Sequence, residues 1–395
     1  MKLPTPATIE TTGERIPRVR IHWMLLVVLG VLAAGQIWTL MRFQPPGLDF
    51  LPLWTAGHMA WTDPHRIYDF AAVTRAQGWL LPDFPWMRPY AYPPTALLVL
   101  APLGALPFWT ALSVWTGASF AVFAAAGARL ARGATPLALG LMVLSPAVVL
   151  AALAGQAVVM AVGLITLAIP LLERRPRLAG ALFALAAALK PQAALLAPVA
   201  LVACGAFDAL AVAAIVGLAL VGASVALFGF ARWPEWLASL GPFQAVIERV
   251  PVFQLGLVTP SALGRTIGLT GAALTAWIAA FAIGGAVVVW RGFSRQGDLA
   301  HDAAPSRAAA LAVGGLLATP YALSYDGTLL VPAAAALLLG ADARRSSTRL
   351  AAFCAACLVT VPGLGFAAVA AFGLLASADP ERLRLRAAKL AEASR

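Results

Sequence analysis

The chain has 395 residues, 61% of them hydrophobic and 11% charged, with a mean hydropathy of +0.85. A soluble domain carries about 25% charged residues, so a water-soluble protein is excluded. The formal net charge of +11 would suit nucleic acid in a soluble protein, but here the basic residues sit in short segments between apolar runs; membrane topology accounts for them, and no nucleic-acid partner is called for.

The apolar runs are too long and too rich in Ala, Leu and Val for the alternating strands of a barrel. Backbone groups left unpaired in hydrocarbon are costly, so the spans must be helices. The expected class is an all-α polytopic protein of the lipid bilayer.

In chain order, residues 1–22 form an N-terminal segment carrying Arg15, Arg18 and Arg20. The apolar run 23–41 follows, long enough at about 1.5 Å per residue to cross most of a bilayer, and so a span rather than a cleavable signal peptide. The compact basic segments ERRPR (173–177), RGFSR (291–295) and DARRSSTR (342–349) share the sign of the N-terminus. The positive-inside rule makes all four cytoplasmic.

The first span then runs outward and delivers residues 42–92 to the outer face as a first outer loop. It sets Asp49, Asp63, Asp69 and Asp83 against Arg42, Arg66, Arg75 and Arg88, and it is dense in Trp, Tyr, Phe and Pro. A neutral, aromatic loop suits the interfacial belt. The run 94–106 is ambiguous: either it dips in and returns, or Arg129 and Arg132 break the positive-inside rule.

Further apolar runs are expected at 110–128, 136–154, 157–172, 178–189, 193–206, 210–230, 272–290, 308–318, 329–339 and 350–375, about ten to twelve spans in all. Breaks at Lys190-Pro191, Thr319-Pro320 and Pro362-Gly363 are tolerated where backbone lines a cavity instead of lipid. A second outer loop, 231–268, contains Trp233, Trp236, Gln244, Glu248, Arg249, Gln254 and Arg265. The transmembrane domain is thus expected over 23–378, with a basic cytoplasmic tail over 379–395 lying as a helix on the inner leaflet. Of Cys204, Cys354 and Cys357, the last two form a CxxC inside an apolar run and are expected as small buried side chains, without the further ligands that a metal site needs.

The chemistry-bearing candidate is Asp49, immediately after the first span. As a plain structural residue it is an N-cap, accepting from the first free amides of a helix. As a functional one it is a general base, its pKa raised by desolvation so that it takes a hydroxyl proton. Asp63-Pro64 reads as a turn, and Tyr92-Pro93-Pro94 as an extended lead into an apolar helix. Gly155-Gln156 and Lys190-Pro191-Gln192 interrupt apolar runs. Lys190 either snorkels to the interface or binds a phosphate as a point charge.

These pieces, in order, resemble glycosyltransferase family 87, the polyprenyl-phosphate-mannose-dependent mannosyltransferases of the GT-C type. The resemblance is carried by GLDFLPLWTAG from Gly47, DPHRIYD from Asp63, YPPTALLVLAPLGALP from Tyr92, AGQAVVMAVGLITLAI from Ala154, RPRLAGALFALAAALKPQ from Arg175 and TPYALSYDGTLLVPA from Thr319. It implies a GT-C-type bundle and transfer of mannose or another sugar from a polyprenyl-phosphate donor. The acceptor would be an envelope glycan or glycolipid on the outer side of the plasma (inner) membrane, with both termini cytoplasmic.

It also implies that Asp49 is the catalytic base. Lys190 would lead the donor-phosphate and substrate-binding set, with Gln156, Arg66, Arg88, Tyr92, Gln192 and Asp326; Arg265 is a further basic candidate. Trp54, Trp61 and Trp86 would stack on sugar faces or anchor the loop. One departure stands out: relatives carry Trp and His where this chain has Ser324, Tyr325 and Asp326, so the role of that His is absent or taken over by Asp326. No metal-ligand cluster is visible, and neither residues nor resemblance calls for a cofactor. The alternatives are a secondary transporter for a sugar-like or anionic substrate, whose charges would lie near the bilayer midplane between repeats, and a lipid-linked polymerase or ligase.

Overall fold

A computed structural model describes residues 18–82, 87–131, 135–294, 303–340 and 346–377. The expectations about residues 1–17, Asp83, Trp86, Arg132, Arg295, residues 342–345 and the tail 379–395 lie outside the described residues. The described chain is helical, with no strand among these residues beyond a single antiparallel bridge between Leu257 and Leu323. It is an all-α polytopic membrane fold.

The bundle has two ends, one holding a cavity and the other the basic turns. Helix α1 (Arg18–Phe43) runs to the cavity end. There α2 (Phe50–Thr62), α3 (Phe70–Ala76) and α4 (Leu97–Gly104) form a compact cap. Helix α5 (Phe108–Ala131) returns to the basic end. The bent pair α6 (Thr135–Val143) and α7 (Pro146–Ala154), kinked by 64° where Pro146 begins the second helix, climbs back beside α1. Helix α8 (Val158–Ala168) descends to the ERRPR turn.

Next, α9 (Pro176–Leu189) rises to Lys190 and α10 (Ala197–Ala203) falls away again. Helix α11 (Phe207–Phe228) spans the full depth. At the cavity end, α12 (Arg232–Arg249), α13 (Pro251–Gly256) and α14 (Pro260–Thr266) fold over the bundle. Helix α15 (Gly271–Phe293) descends, α16 (Ala303–Ala318) rises to Thr319, and α17 (Val331–Leu339) descends. The last two helices, α18 (Ser346–Leu358) and α19 (Gly365–Ser377), go up and down once more.

Against the expected ten to twelve spans, α1, α5, α11 and α15 are long and apolar enough to cross a membrane, and the bent pair makes a fifth. Eight shorter apolar helices of 10–17 residues account for the remaining runs. At about 1.5 Å per residue these stop short of a full crossing, and several end at the cavity. Leu218 and Leu227 of α11 and Val31 of α1 stay exposed, as side chains facing acyl chains do.

Residues Pro94–Gly104 form one short apolar helix whose two flanks are fixed by contacts to other segments. The Thr95 hydroxyl donates to the Ala188 carbonyl at 2.8 Å beside Lys190, while Trp54 Nε1 donates to the Leu106 carbonyl at 3.0 Å. Both flanks of α4 are therefore tied to segments near the cavity end. Arg129, closing α5, stays with the basic turns. Helix α4 crosses α2 at Gly57 and Gly104, where the backbones touch and a Cβ on either would collide with main-chain atoms. At the basic end, Arg307 bonds Glu173 at 3.3 Å and lies over the Phe293 ring, and Gly180 of α9 meets the Ala209 carbonyl of α11. Of the CxxC pair on α18, Cys354 is exposed and Cys357 partly buried, so the expectation of two buried thiols fails for Cys354: its side of α18 faces outward.

Candidate active site

The loop after α1 is held against the C-terminus of α7. Gly47 N donates to the Leu153 carbonyl at 2.7 Å and Asp49 N to the Ala154 carbonyl at 2.9 Å. Both glycines at this junction need the left-handed region: Gly47 has φ +77° and Gly155 +70°. A Cβ at Gly155 would also sit 2.6 Å from the Phe50 Cβ. The junction brings Asp49 beside Gln156, 107 residues later in the chain.

Asp49 stands at the N-cap of α2, yet its side chain makes no capping bond. Instead Arg88 Nη2 donates to Asp49 Oδ1 at 2.8 Å and Gln156 Nε2 donates to Asp49 Oδ2 at 2.8 Å. The same Arg88 nitrogen donates to the Leu48 carbonyl at 2.6 Å. The Tyr92 hydroxyl donates to Gln156 Oε1 at 3.3 Å, which turns the amide nitrogen toward the carboxylate. Gln77 Nε2 donates to the Arg88 carbonyl and the Arg88 amide donates to the Thr74 hydroxyl, so α3 fixes the arginine's backbone. Burial pushes the guanidinium pKa down from its ordinary value, and the Asp49 charge opposes that shift. The Asp49 side chain keeps 30% of its surface accessible against 13% for Arg88. A carboxylate has about four lone-pair sites, so with two occupied Asp49 still has acceptor capacity toward the cavity.

A second charged pair faces it. Lys190 sits at the break after α9, where Pro191 disfavours helical geometry at the residue before it. Its ammonium bonds Asp326 Oδ1 and lies 5.2 Å from the centre of the Tyr325 ring. The other oxygen, Asp326 Oδ2, accepts from the Leu323 amide at 2.9 Å. Both side chains are buried.

A cavity of about 630 Å3 joins the two pairs. Among the expected site residues Asp49, Arg88, Tyr92, Gln156, Lys190, Gln192 and Asp326 all line it. Arg66 does not: it is half exposed and bonds Asp69, which also caps α3 through the Ala72 amide. Trp54 packs against Trp79 and Phe108, and Trp61 donates to the Ala101 carbonyl, so both brace the α2–α4 crossing away from the cavity. Arg265, on α14, is also outside the lining.

The wall supplied by α12 went unread in the sequence. Trp236, Leu240, Phe243, Ile247 and Val250 all face the cavity, and their alternating spacing of four and three is the signal of an apolar helix face. Tyr321 and Tyr325 complete an aromatic side.

The model that describes glycosyltransferase family 87 matches residues 90–320. The chain belongs to glycosyltransferase family 87. The match takes in Tyr92, Gln156, Lys190 and Gln192, while Asp49, Arg88 and Asp326 lie outside it and reach the same cavity through the fold. No curated protein and no solved structure matches the chain. Family 87 membership makes the chain a membrane glycosyltransferase and does not favour the transporter alternative.

Proposed function

We propose that the chain transfers a hexose, mannose first among the candidates, from a polyprenyl-phosphate donor to a hydroxyl of an envelope glycan or glycolipid, with Asp49 as general base. The observation that carries this reading is the arrangement of Asp49: a carboxylate held by Arg88 and Gln156 with remaining acceptor capacity, on the wall of a cavity that also holds Lys190. Acceptor oxygen attacks the anomeric carbon as its proton passes to Asp49, and the bond from that carbon to the phosphate oxygen breaks with its electron pair leaving on the phosphate. One base suffices for such an inverting displacement. The basic groups stabilise the charge that develops on the leaving group.

An apolar flank of Leu40, Met41, Leu150, Leu153 and Leu195 suits a prenyl chain, and the aromatic side suits a sugar ring. The cavity lies at the end opposite the basic turns. Assigned by the positive-inside rule, the reaction belongs to the outer face of the plasma membrane, with both termini cytoplasmic.

The test is transfer by purified protein in proteoliposomes from a polyprenyl-phosphate sugar to extracted lipid acceptors, with products read by mass spectrometry. Asp49→Asn is expected to lower turnover about a hundredfold or more, the usual scale of general-base catalysis, while folding normally. Near-normal turnover in that variant removes the base assignment.

A further inference from the structure

We propose that Tyr325 reads a hydroxyl group of the sugar being transferred and so sets which sugar the chain accepts. This rests on the proposed function, with Asp49 as base and Lys190 beside the donor phosphate.

On that reading the sugar ring has a defined place. Its anomeric carbon lies between the acceptor oxygen, which gives its proton to Asp49, and the phosphate, which is drawn to Lys190. A group that reads the sugar therefore belongs between Asp49 and Lys190. Tyr325 spans that interval. The centre of its ring is 5.2 Å from the Lys190 ammonium, and its phenol oxygen interacts electrostatically with Asp49 ahead of its own neighbour Asp326. The turn that carries it is fixed. The Asp326 amide donates to the Leu323 carbonyl at 2.7 Å, Asp326 Oδ2 accepts from the Leu323 amide at 2.9 Å, and Val359 fills the space that a Cβ on Gly327 would take.

The hydroxyl itself is uncommitted. Among the described residues it makes no hydrogen bond, and it is not sealed from the cavity that Tyr325 lines. Tyr92, by contrast, has given its hydroxyl to Gln156, and Tyr321 packs on Phe243 with Asp326 as its charged neighbour. A phenol offers one donor together with acceptor lone pairs, which matches a sugar hydroxyl in both directions; a phosphate could use the donor alone. Tyr325 also lies beyond residue 320, where the family match ends, so the match assigns it no role.

A site built to hydrogen-bond a hydroxyl rejects the analogue that lacks it, because its own polar group is then left unpaired. The probes are farnesyl-phosphate mannose and its four monodeoxy analogues, offered to purified protein in proteoliposomes with extracted lipid acceptors. In the wild type, one analogue is expected to show kcat/KM lower than the parent donor by roughly tenfold or more. Tyr325→Phe keeps the ring in place against Lys190, and melting curves check that it folds. It is expected to use the parent less well by a similar factor and that one analogue as readily as the parent, with the other ratios unchanged. A merely structural phenol lowers every donor alike. Donors that all scale together in Tyr325→Phe therefore overturn the proposal and leave Asp49 as the base. Wild-type protein that uses every analogue as readily as the parent overturns it too, whether or not the variant folds. A wild type that transfers from none of these donors removes the functional reading, and this proposal with it.

Discussion

At the scale of single residues, the two charged pairs of the cavity differ in what they stabilise. Lys190 and Asp326 are buried, and removing one partner leaves the other as an uncompensated charge. Lys190→Met is therefore expected to lose about 3–5 kcal/mol of stability, and Lys190→Met/Asp326→Leu to recover most of it, because apolar replacement of a whole buried pair is often neutral. Unfolding in detergent measures both, and donor use is expected to stay impaired in the double variant. Recovery of normal donor dependence there returns Lys190 to a structural role. On the proposed reading of Asp49 as the base, Tyr92 is one hydrogen bond further away, through Gln156. Tyr92→Phe removes the donor that turns the Gln156 amide, and a lost hydrogen bond of about 1 kcal/mol predicts a fall of roughly fivefold in kcat with melting unchanged. An unaltered kcat means that Gln156 is oriented by other contacts.

At the scale of elements, the cap made by α2 and α4 sets where Asp49 points. Their crossing at Gly57 and Gly104 leaves no room for a Cβ. Gly57→Ala is expected to destabilise by about 1–3 kcal/mol through overpacking and to cut transfer as α2 shifts. Gly117→Ala, on α5 with open space around it, is expected to do neither. Thermal melts and transfer assays on the two variants separate a specific crossing from a general intolerance of Ala. The broken helices matter in the same way: α9 stops at Lys190 and α16 at Thr319, so the polar ends of half-length helices, instead of continuous apolar faces, reach the cavity.

At the scale of the whole molecule, every outer feature of the reading depends on the cavity and the basic turns being at opposite ends. In a background without Cys204, Cys354 and Cys357, a cysteine at exposed Trp61 is expected to react with a membrane-impermeant maleimide added to intact cells. One at exposed Arg177 is expected to react only after permeabilisation. The reverse pattern puts the cavity on the cytoplasmic side and overturns the assignment.

The bilayer class, the first span, the polar breaks and seven polar residues of the lining could be read from the chain, because hydropathy, charge bias and Pro or Gly interruptions are local signals. So could the family, through motifs that keep their order. The part played by each residue was not readable. Asp49 read as an N-cap or a base; the fold leaves it at the N-cap position without a capping bond and places Arg88 and Gln156 on its two oxygens, and Arg66 looked equivalent to Arg88 until it proved to be held by Asp69 outside the cavity. Which charge meets which is settled by contacts between segments far apart in the chain, 39 residues for Arg88 and Asp49 and 136 for Lys190 and Asp326. The sequence by itself determined a helical membrane protein with its charges at helix breaks and loops. Tertiary packing alone decided their pairing, since in a low-dielectric interior a charge takes whichever partner the backbone brings within reach.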